Sequence, residues 1–432
     1  MMRRSDGTRQ RAFGVVLILM CAGLLGSGGV AYGAAKTTIT FWTFLNPEAA
    51  DPRSKALRAT IDGFMGDNPD IEVKTESIHW GKIDGLAIQA AAAGGGPDVL
   101  NVYSVQLTKH INAKTVAPLN HYVEKWYGQH ETDYIIALKE TEYDGKVYGL
   151  LWETRVWLLY YRQDLLEKAG LKVPLTLDDL TKVAQKIGSD RLQGFVVGLS
   201  DTQLAAAFVE TFEPLLWGAG GSLLDAKGKA AFNSPAGQQV MQWIADLTKT
   251  GGMGKAAASM NADDILSGFK AGTIGMSFQG SMRVSAAREA KDVGPMIRTA
   301  PVPGFQAGKP SPGLTAGQSL TIGANSKSKD AAWRFIEYYL SPKAQLLFAK
   351  AGVLPIRKSV YADPYFQTPQ GQELIQWRDY INNHGRVGRY PEDFAKLSEL
   401  LARAAQDVVL RNVPVKQALD DAAKKYDAQT GM

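Results

Sequence analysis

Three short runs decide the fold: Ile39-Thr40-Phe41-Trp42-Thr43-Phe44, Ile71-Glu72-Val73-Lys74-Thr75-Glu76-Ser77 and Val99-Leu100-Asn101-Val102. Each is rich in β-branched and aromatic residues and reads as a strand. Between the first two, Leu57, Ile61 and Phe64 recur at helical spacing and Asn68-Pro69-Asp70 makes a turn. Between the second and third, an alanine-rich helix over 82–93 ends at Gly94-Gly95-Gly96-Pro97. The order β-α-β-α-β predicts a parallel sheet with right-handed crossovers, and ligands of such sheets sit beyond the carboxyl ends of the strands. The loops near 42–48, 78–81 and 103–106 should therefore share one rim.

Working outward, a second α/β unit begins near Lys146. Residues 157–161 read as a strand, and Thr176-Leu177-Asp178-Asp179 resembles a capping box ahead of Leu180, Val183, Ala184 and Ile187, with Gly188 as terminator. A strand at 195–199, helices around 202–217, 235–250 and 261–270, and a short strand at 274–278 follow. The Pro- and Gly-rich residues 301–312 read as a linker. Beyond it lie a strand at 319–324 and helices at 329–340 and 342–351, the second with Ser341 as cap and Pro342 at its first position. Helical patterns at 370–384, 392–411 and from Val415 complete the chain, without internal repeats.

Toward the amino terminus, Arg3, Arg4, Arg9 and Arg11 precede an apolar run from Phe13 to Leu25 and the small residues Ala31-Tyr32-Gly33-Ala34-Ala35. A basic head, a short apolar stretch and a small-residue exit describe a secretory signal peptide over residues 1–35, cleaved near 33–35. Removing it lowers the formal charge from +5 to +2, because residues 1–35 carry four cations and one anion. Nucleic acid is then not implied as a partner. Cys21 is the single cysteine and leaves with the leader, so a thiol-free protein of the periplasm is expected. With 432 residues, 45% hydrophobic and 21% charged, the chain is neither disordered nor a disulfide scaffold, and it is long enough for two domains.

Catalytic motifs are missing: there is no G-x-S-x-G, no H-E-x-x-H and no Cys pair. Gly218-Ala219-Gly220-Gly221 lacks a third phosphate-approaching glycine, and Gly251-Gly252-Met253-Gly254-Lys255 is followed by Ala256 rather than Ser or Thr. The five histidines show no ligand spacing, so neither metal nor cofactor is expected. Aromatic and polar residues do concentrate at predicted loops and connections: Trp42-Thr43-Phe44, His79-Trp80, Tyr103-Ser104, Trp152-Glu153-Thr154-Arg155-Val156-Trp157 and Trp217-Gly218. Sugars present C–H faces that pack on flat rings and hydroxyls that need fixed donors and acceptors, which suits this mixture. A secreted carbohydrate-active enzyme drawing its acids from Glu153, Asp201 and Glu210 is an alternative, as is a receptor for a non-sugar such as a phosphodiester.

Several segments, taken in order, resemble the family 1 extracellular solute-binding proteins of ABC importers, the group that includes maltose-binding protein. They are the first strand, 39–44; Asn68-Pro69-Asp70-Ile71-Glu72-Val73-Lys74 and Gly94-Gly95-Gly96-Pro97-Asp98-Val99; Asp144-Gly145-Lys146-Val147-Tyr148-Gly149 with Leu159-Tyr160-Tyr161-Arg162-Gln163-Asp164-Leu165-Leu166-Glu167-Lys168-Ala169-Gly170; Gly275-Met276-Ser277-Phe278-Gln279-Gly280-Ser281; Pro301-Val302-Pro303-Gly304-Phe305; Ala331-Ala332-Trp333-Arg334-Phe335-Ile336-Glu337-Tyr338-Tyr339-Leu340-Ser341-Pro342; and Val415-Lys416-Gln417-Ala418-Leu419-Asp420-Asp421-Ala422-Ala423-Lys424-Lys425. The resemblance spans essentially the whole mature chain.

It implies an α/β, two-lobe periplasmic-binding-protein fold of type II, with discontinuous lobes joined by three hinge crossings near 151–155, 301–312 and 354–357. One lobe would comprise residues 36–150 plus 313–353, the other 151–312 plus 354–432. It implies a monomer that binds a sugar or polyol and serves ABC permease transmembrane subunits, with no catalytic residues. Carried over, Trp42 and Thr43 fall after the first strand, Tyr103 after the third, Glu153 and Arg155 on the hinge strand, and Gly317-Gln318 at the cleft. His79, Trp80, Trp217, Ser281 and Arg357 complete the expected binding set. There is one departure: many relatives place Trp after the segment matching Gly280-Ser281, where this chain has Met282.

Overall fold

The computed structural model describes residues 36–130, 133–135, 141–388, 390–391 and 393–430; the expected leader and its cleavage site lie outside the described residues. Its strands are β1 (Thr37–Thr43), β2 (Ile71–Ser77), β3 (Val99–Tyr103), β4 (Glu142–Tyr143), β5 (Lys146–Val147), β6 (Leu150–Arg162), β7 (Gln193–Val196), β8 (Ile274–Gly280), β9 (Ile297–Ala300), β10 (Gly313–Ile322) and β11 (Gly385–Val387). The main sheet runs β2-β1-β3-β10-β6-β8-β7, with β9 added to β6 and β11 to β10. β1 is parallel to both β2 and β3, while β10 runs antiparallel to β3 and β6.

Two large cores flank this sheet. One gathers Ile39, Phe41, Leu57, Phe64, Trp152, Phe335 and Tyr339. Edge-on ring contacts, Phe41 to Phe335 at 5.3 Å and Phe64 to Phe335 at 5.1 Å, lock the Pro52–Asp67 and Lys329–Tyr339 helices onto the strands. The other core gathers Phe195, Phe208, Phe212, Ile244, Phe278, Leu401 and Tyr426. The fold is thus two-lobed α/β with discontinuous lobes.

Two long strands join the halves. Residues 150–156 of β6 pair with β10, whereas 157–162 pair with β8 and β9, so the strand changes neighbours between Val156 and Trp157. β10 pairs with β11 at 313–315 and with β3 at 318–322. The third crossing is stitched to β6 by the Thr154 amide, which donates to the Leu354 carbonyl at 3.3 Å.

The expected strand at 319–324 is longer and starts earlier in the chain. Gly313, Ala316 and Gly317 are poor strand formers, so local propensity hides the first half of β10. Neighbours on both edges overrule it, and a Cβ at position 317 would sit 2.3 Å from the Glu153 carbonyl oxygen, a close approach that only glycine allows. The helix expected from 202 begins instead at Ala206, because Gln203, Leu204 and Ala205 are left-handed, with φ of 53°, 59° and 48°. The 301–312 linker is irregular and runs directly into β10.

Candidate functional site

A cleft of about 270 Å³ lies at the carboxyl ends of β1 and β3 and is ringed by the first turns of four helices: Pro52–Asp67, Trp80–Ala92, Ala206–Gly218 and Ala262–Lys270. Its lining includes Phe44, Arg53, Trp80, Tyr103, Arg155 and Gln318 on one side and Glu210, Asp263, Met282 and Arg283 on the other. The loops after β1, β2 and β3 thus meet at one rim.

Local rules place the side chains. Thr43 Oγ1 accepts from the Leu45 amide at 3.3 Å and from Asn101 Nδ2 at 3.2 Å, fixing the turn that presents Phe44. Asp51 accepts from the amides of Arg53 and Ser54, both at 3.1 Å, and with Pro52 behind it starts a helix whose first turn carries Arg53. The Gly81 amide donates to His79 Nδ1 at 3.2 Å, which caps the helix carrying Trp80.

The floor is an ion cluster. Glu153 is wholly buried; Arg53 donates Nη2–H to its Oε2 at 2.9 Å, and Arg155 donates Nε–H to Oε1. Both guanidinium groups lie against the Phe44 ring, at 5.3 Å for Arg53 and 5.8 Å for Arg155, and Arg155 is also 5.6 Å from Tyr103. Burial pulls the Arg53 pKa below its ordinary value; Glu153 opposes that and the neighbouring Arg155 charge adds to it. Arg53 Nε is buried and finds no acceptor among the described residues.

The opposite wall is anchored by Asp263, which accepts from Arg283 Nη1 and Gln203 Nε2, each at 2.7 Å. Its pKa lies below the usual carboxylate range: partial burial works upward, but the Arg283 charge and these hydrogen bonds prevail. Glu210 is pushed up to about 7 by burial, against the hydrogen bond from Tyr103 and the charges of Arg283 and Arg155. The two walls also meet directly: Tyr103 donates its hydroxyl to Glu210 at 3.0 Å, and His79 Nε2 stands 4.0 Å from Asp263.

Of the twelve expected binding residues, Trp80, Tyr103, Arg155 and Gln318 line the cleft. Glu153 and Thr43 lie beneath it and position others. Ser281 Oγ accepts from the Val156 amide at 3.3 Å, and the Gly317 amide donates to Ser104 Oγ at 3.2 Å. Trp217 is 7% exposed, packed with Trp157 and Leu314 and covered by the Arg386 guanidinium at 4.7 Å. Arg357 pairs with Asp133 at 2.6 Å and borders a separate hollow with Trp126 and Arg334. Trp42 packs against Ile83, Leu100 and Val102. We expect Trp42→Ala to cost about 2 kcal/mol in urea denaturation while leaving ligand affinity unchanged, as for loss of a partly buried ring. A large affinity loss at unaltered stability would put that ring in the site.

Sequence reading passed over Arg53, Asp263 and Arg283. The signal for Arg53 is local: Asp51-Pro52 is a helix start directly after the first strand's loop, so the next residue faces the rim. For Asp263 and Arg283 there is no comparable signal, since their meeting depends on two elements twenty residues apart.

A two-lobe architecture with a ring-lined cleft that carries a few charged and amide groups is the architecture of a solute-binding protein. The chain belongs to the bacterial extracellular solute-binding protein family, whose profile matches residues 49–346. It is 24% identical over 418 residues to the arabinooligosaccharide-binding protein of Bacillus subtilis, spanning 90% of this chain and 92% of that one. It is likewise 24% identical over 311 residues to the multiple sugar-binding protein of Streptococcus mutans, covering 67% of this chain and 68% of the relative. Among solved structures, maltose-bound MalE3 of T. maritima matches with a TM-score of 0.78 at 23% identity, over 90% of this chain and 98% of that one. An ABC transporter solute-binding protein of Agrobacterium radiobacter in complex with ribitol gives 0.76 at 21% identity, over 91% and 98%. Among the described residues no helix is long and apolar enough to cross a membrane, and no group of His, Cys, Asp and Glu could hold a metal ion.

Proposed function

We propose that the protein is the periplasmic receptor of an ABC importer, which captures a sugar or polyol in this cleft and presents the closed form to the permease. The observation that carries this is a cleft built by both halves of a discontinuous fold, with rings and fixed hydrogen-bonding groups on facing walls. Family membership, and relatives named for binding sugars or crystallised with maltose or ribitol, support it. A ligand touching both walls stabilises the closed arrangement by its differential affinity, and about 5.5 kcal/mol of preference converts 1:99 into 99:1. The cleft volume of about 270 Å³ lies at the small end of ligand sites and suits one or two sugar units. We also assign residues 36–150 plus 313–353 to one lobe and the remainder of the mature chain to the other.

The three carboxylates named above for an enzyme are dispersed. Glu153 is held by two arginines, and Asp201 pairs with Arg403 at 3.1 Å beside a different groove, leaving Glu210 in the cleft. That supports capture without turnover. Calorimetry against sugars and polyols, with product analysis of each mixture, tests the reading: stoichiometric saturation with the ligand recovered intact is expected, and released cleavage products would overturn it.

A further inference from the structure

We propose that the cleft is specific for an acidic sugar, a uronate or aldonate, whose carboxylate is taken by Arg53 and Arg155. This rests on the receptor function proposed for the same cleft and sharpens it. Two guanidinium groups share one carboxylate: Arg53 and Arg155 both bond Glu153, and both lie on the Phe44 ring. Each keeps N–H donors that Glu153 does not use, and Arg53 Nε is buried without an acceptor among the described residues. A guanidinium donates and never accepts, so this end of the cleft presents donors alone.

The other charged groups around the cleft each have a hydrogen-bonding partner. Arg283 is balanced by Asp263 at 2.7 Å. The Asp84 carboxylate is hydrogen-bonded to the His110 ring at 2.9 Å, a contact that balances its charge only when the imidazole is protonated. Asp51 is engaged by the two helix amides it caps, where the helix dipole offsets its charge. Glu210 receives the Tyr103 hydroxyl at 3.0 Å. Within the Arg53–Glu153–Arg155 cluster two cations share one anion, so the floor of the cleft carries one local positive charge in excess. An anion removes that imbalance, and a planar carboxylate matches the guanidinium fork with two parallel hydrogen bonds. The acceptors at the far wall, Asp263 and Glu210, together with Gln318, leave the hydroxylated end of the same molecule well served.

The test is calorimetry of the purified protein near neutral pH with galacturonate, glucuronate and galactonate beside galactose, glucose, ribitol and a hexose phosphate. An acid should bind at least about tenfold more tightly than its neutral counterpart. Arg53→Met should erase that preference, so that an acid and its neutral counterpart bind within about twofold of each other. Arg155→Lys, which keeps the charge and the packing but loses the fork, should reduce the preference while the protein remains folded. Equal or weaker binding of the acids, with a neutral sugar still bound, would overturn the acidic-ligand assignment and leave the receptor function standing. A hexose phosphate that outcompetes every carboxylate would overturn the carboxylate assignment. Absence of binding by every compound would remove both.

Discussion

Glu153→Ala is expected to destabilise the protein by about 3–5 kcal/mol, the largest effect of any single substitution in the cleft. The residue is 0% exposed and is the carboxylate partner of both Arg53 and Arg155. Removing it leaves the buried Arg155 and the partly buried Arg53 with no anion between them, and the penalty of an unpaired buried charge exceeds the worth of the pair itself. Glu153→Gln keeps the shape and one acceptor, so it should fall between the wild type and the alanine variant. Urea denaturation monitored by tryptophan fluorescence measures this as a change in midpoint. A change equivalent to less than about 1 kcal/mol would mean that the two arginines are solvated and that the cluster is not a rigid floor.

The second large effect is a loss of stability as pH rises from about 5 to about 8. Burial pushes Glu213 up to about 8 and Glu210 up to about 7, from an ordinary value of 4.5. In the unfolded chain both groups lose their protons near the ordinary value, while in the folded chain they hold them until pH 7 or 8. The folded state therefore binds more protons throughout that window, and stability present at low pH is lost as pH climbs through it. A tenfold difference in proton affinity between the folded and unfolded chain is worth about 1.4 kcal/mol, so a total fall of roughly 2–4 kcal/mol is expected once the buried carboxylates relax toward water. Asp263 and Asp133, whose pKa values are depressed, contribute their stability above the ordinary carboxylate range, so they do not cancel this slope. Glu213→Gln removes the titration and keeps an acceptor for the Tyr390 hydroxyl that Glu213 now receives. The variant should show a flatter profile and a higher melting temperature than the wild type at pH 8. A profile as steep as the wild type's would assign the slope elsewhere.

Much of the fold was legible because its elements are locally consistent. The Ile71–Ser77 strand has the bounds its pattern predicts, and the Pro342–Lys350 helix starts at the Ser341 cap that sequence identifies. The capping residue Thr176 accepts from the Asp179 amide at 3.1 Å, as its spacing implies. Where local and tertiary signals disagree, reading fails: the first half of β10 looks like loop, and Gln203-Leu204-Ala205 looks like helix. The candidate site was legible in part for the same reason. Tyr103 ends the third strand and Trp80 comes shortly after the second, so topology alone places both at the rim. Trp42 and Trp217 carry the same chemical signal as those residues, yet their rings are spent on packing.

By itself the sequence determined the class of fold, the order of its strands and helices and the rim on which a ligand site must lie, because periodicity, capping and crossover handedness are properties of short segments. Only the tertiary structure decided which side chains make the site. Arg53 and Glu153 are a hundred positions apart, and Asp263 and Arg283 belong to different elements; their charges matter only once folding excludes water and brings them within bonding distance. A guanidinium read from sequence is a solvated cation, whereas two of them on one buried carboxylate are an unsatisfied demand for an anion.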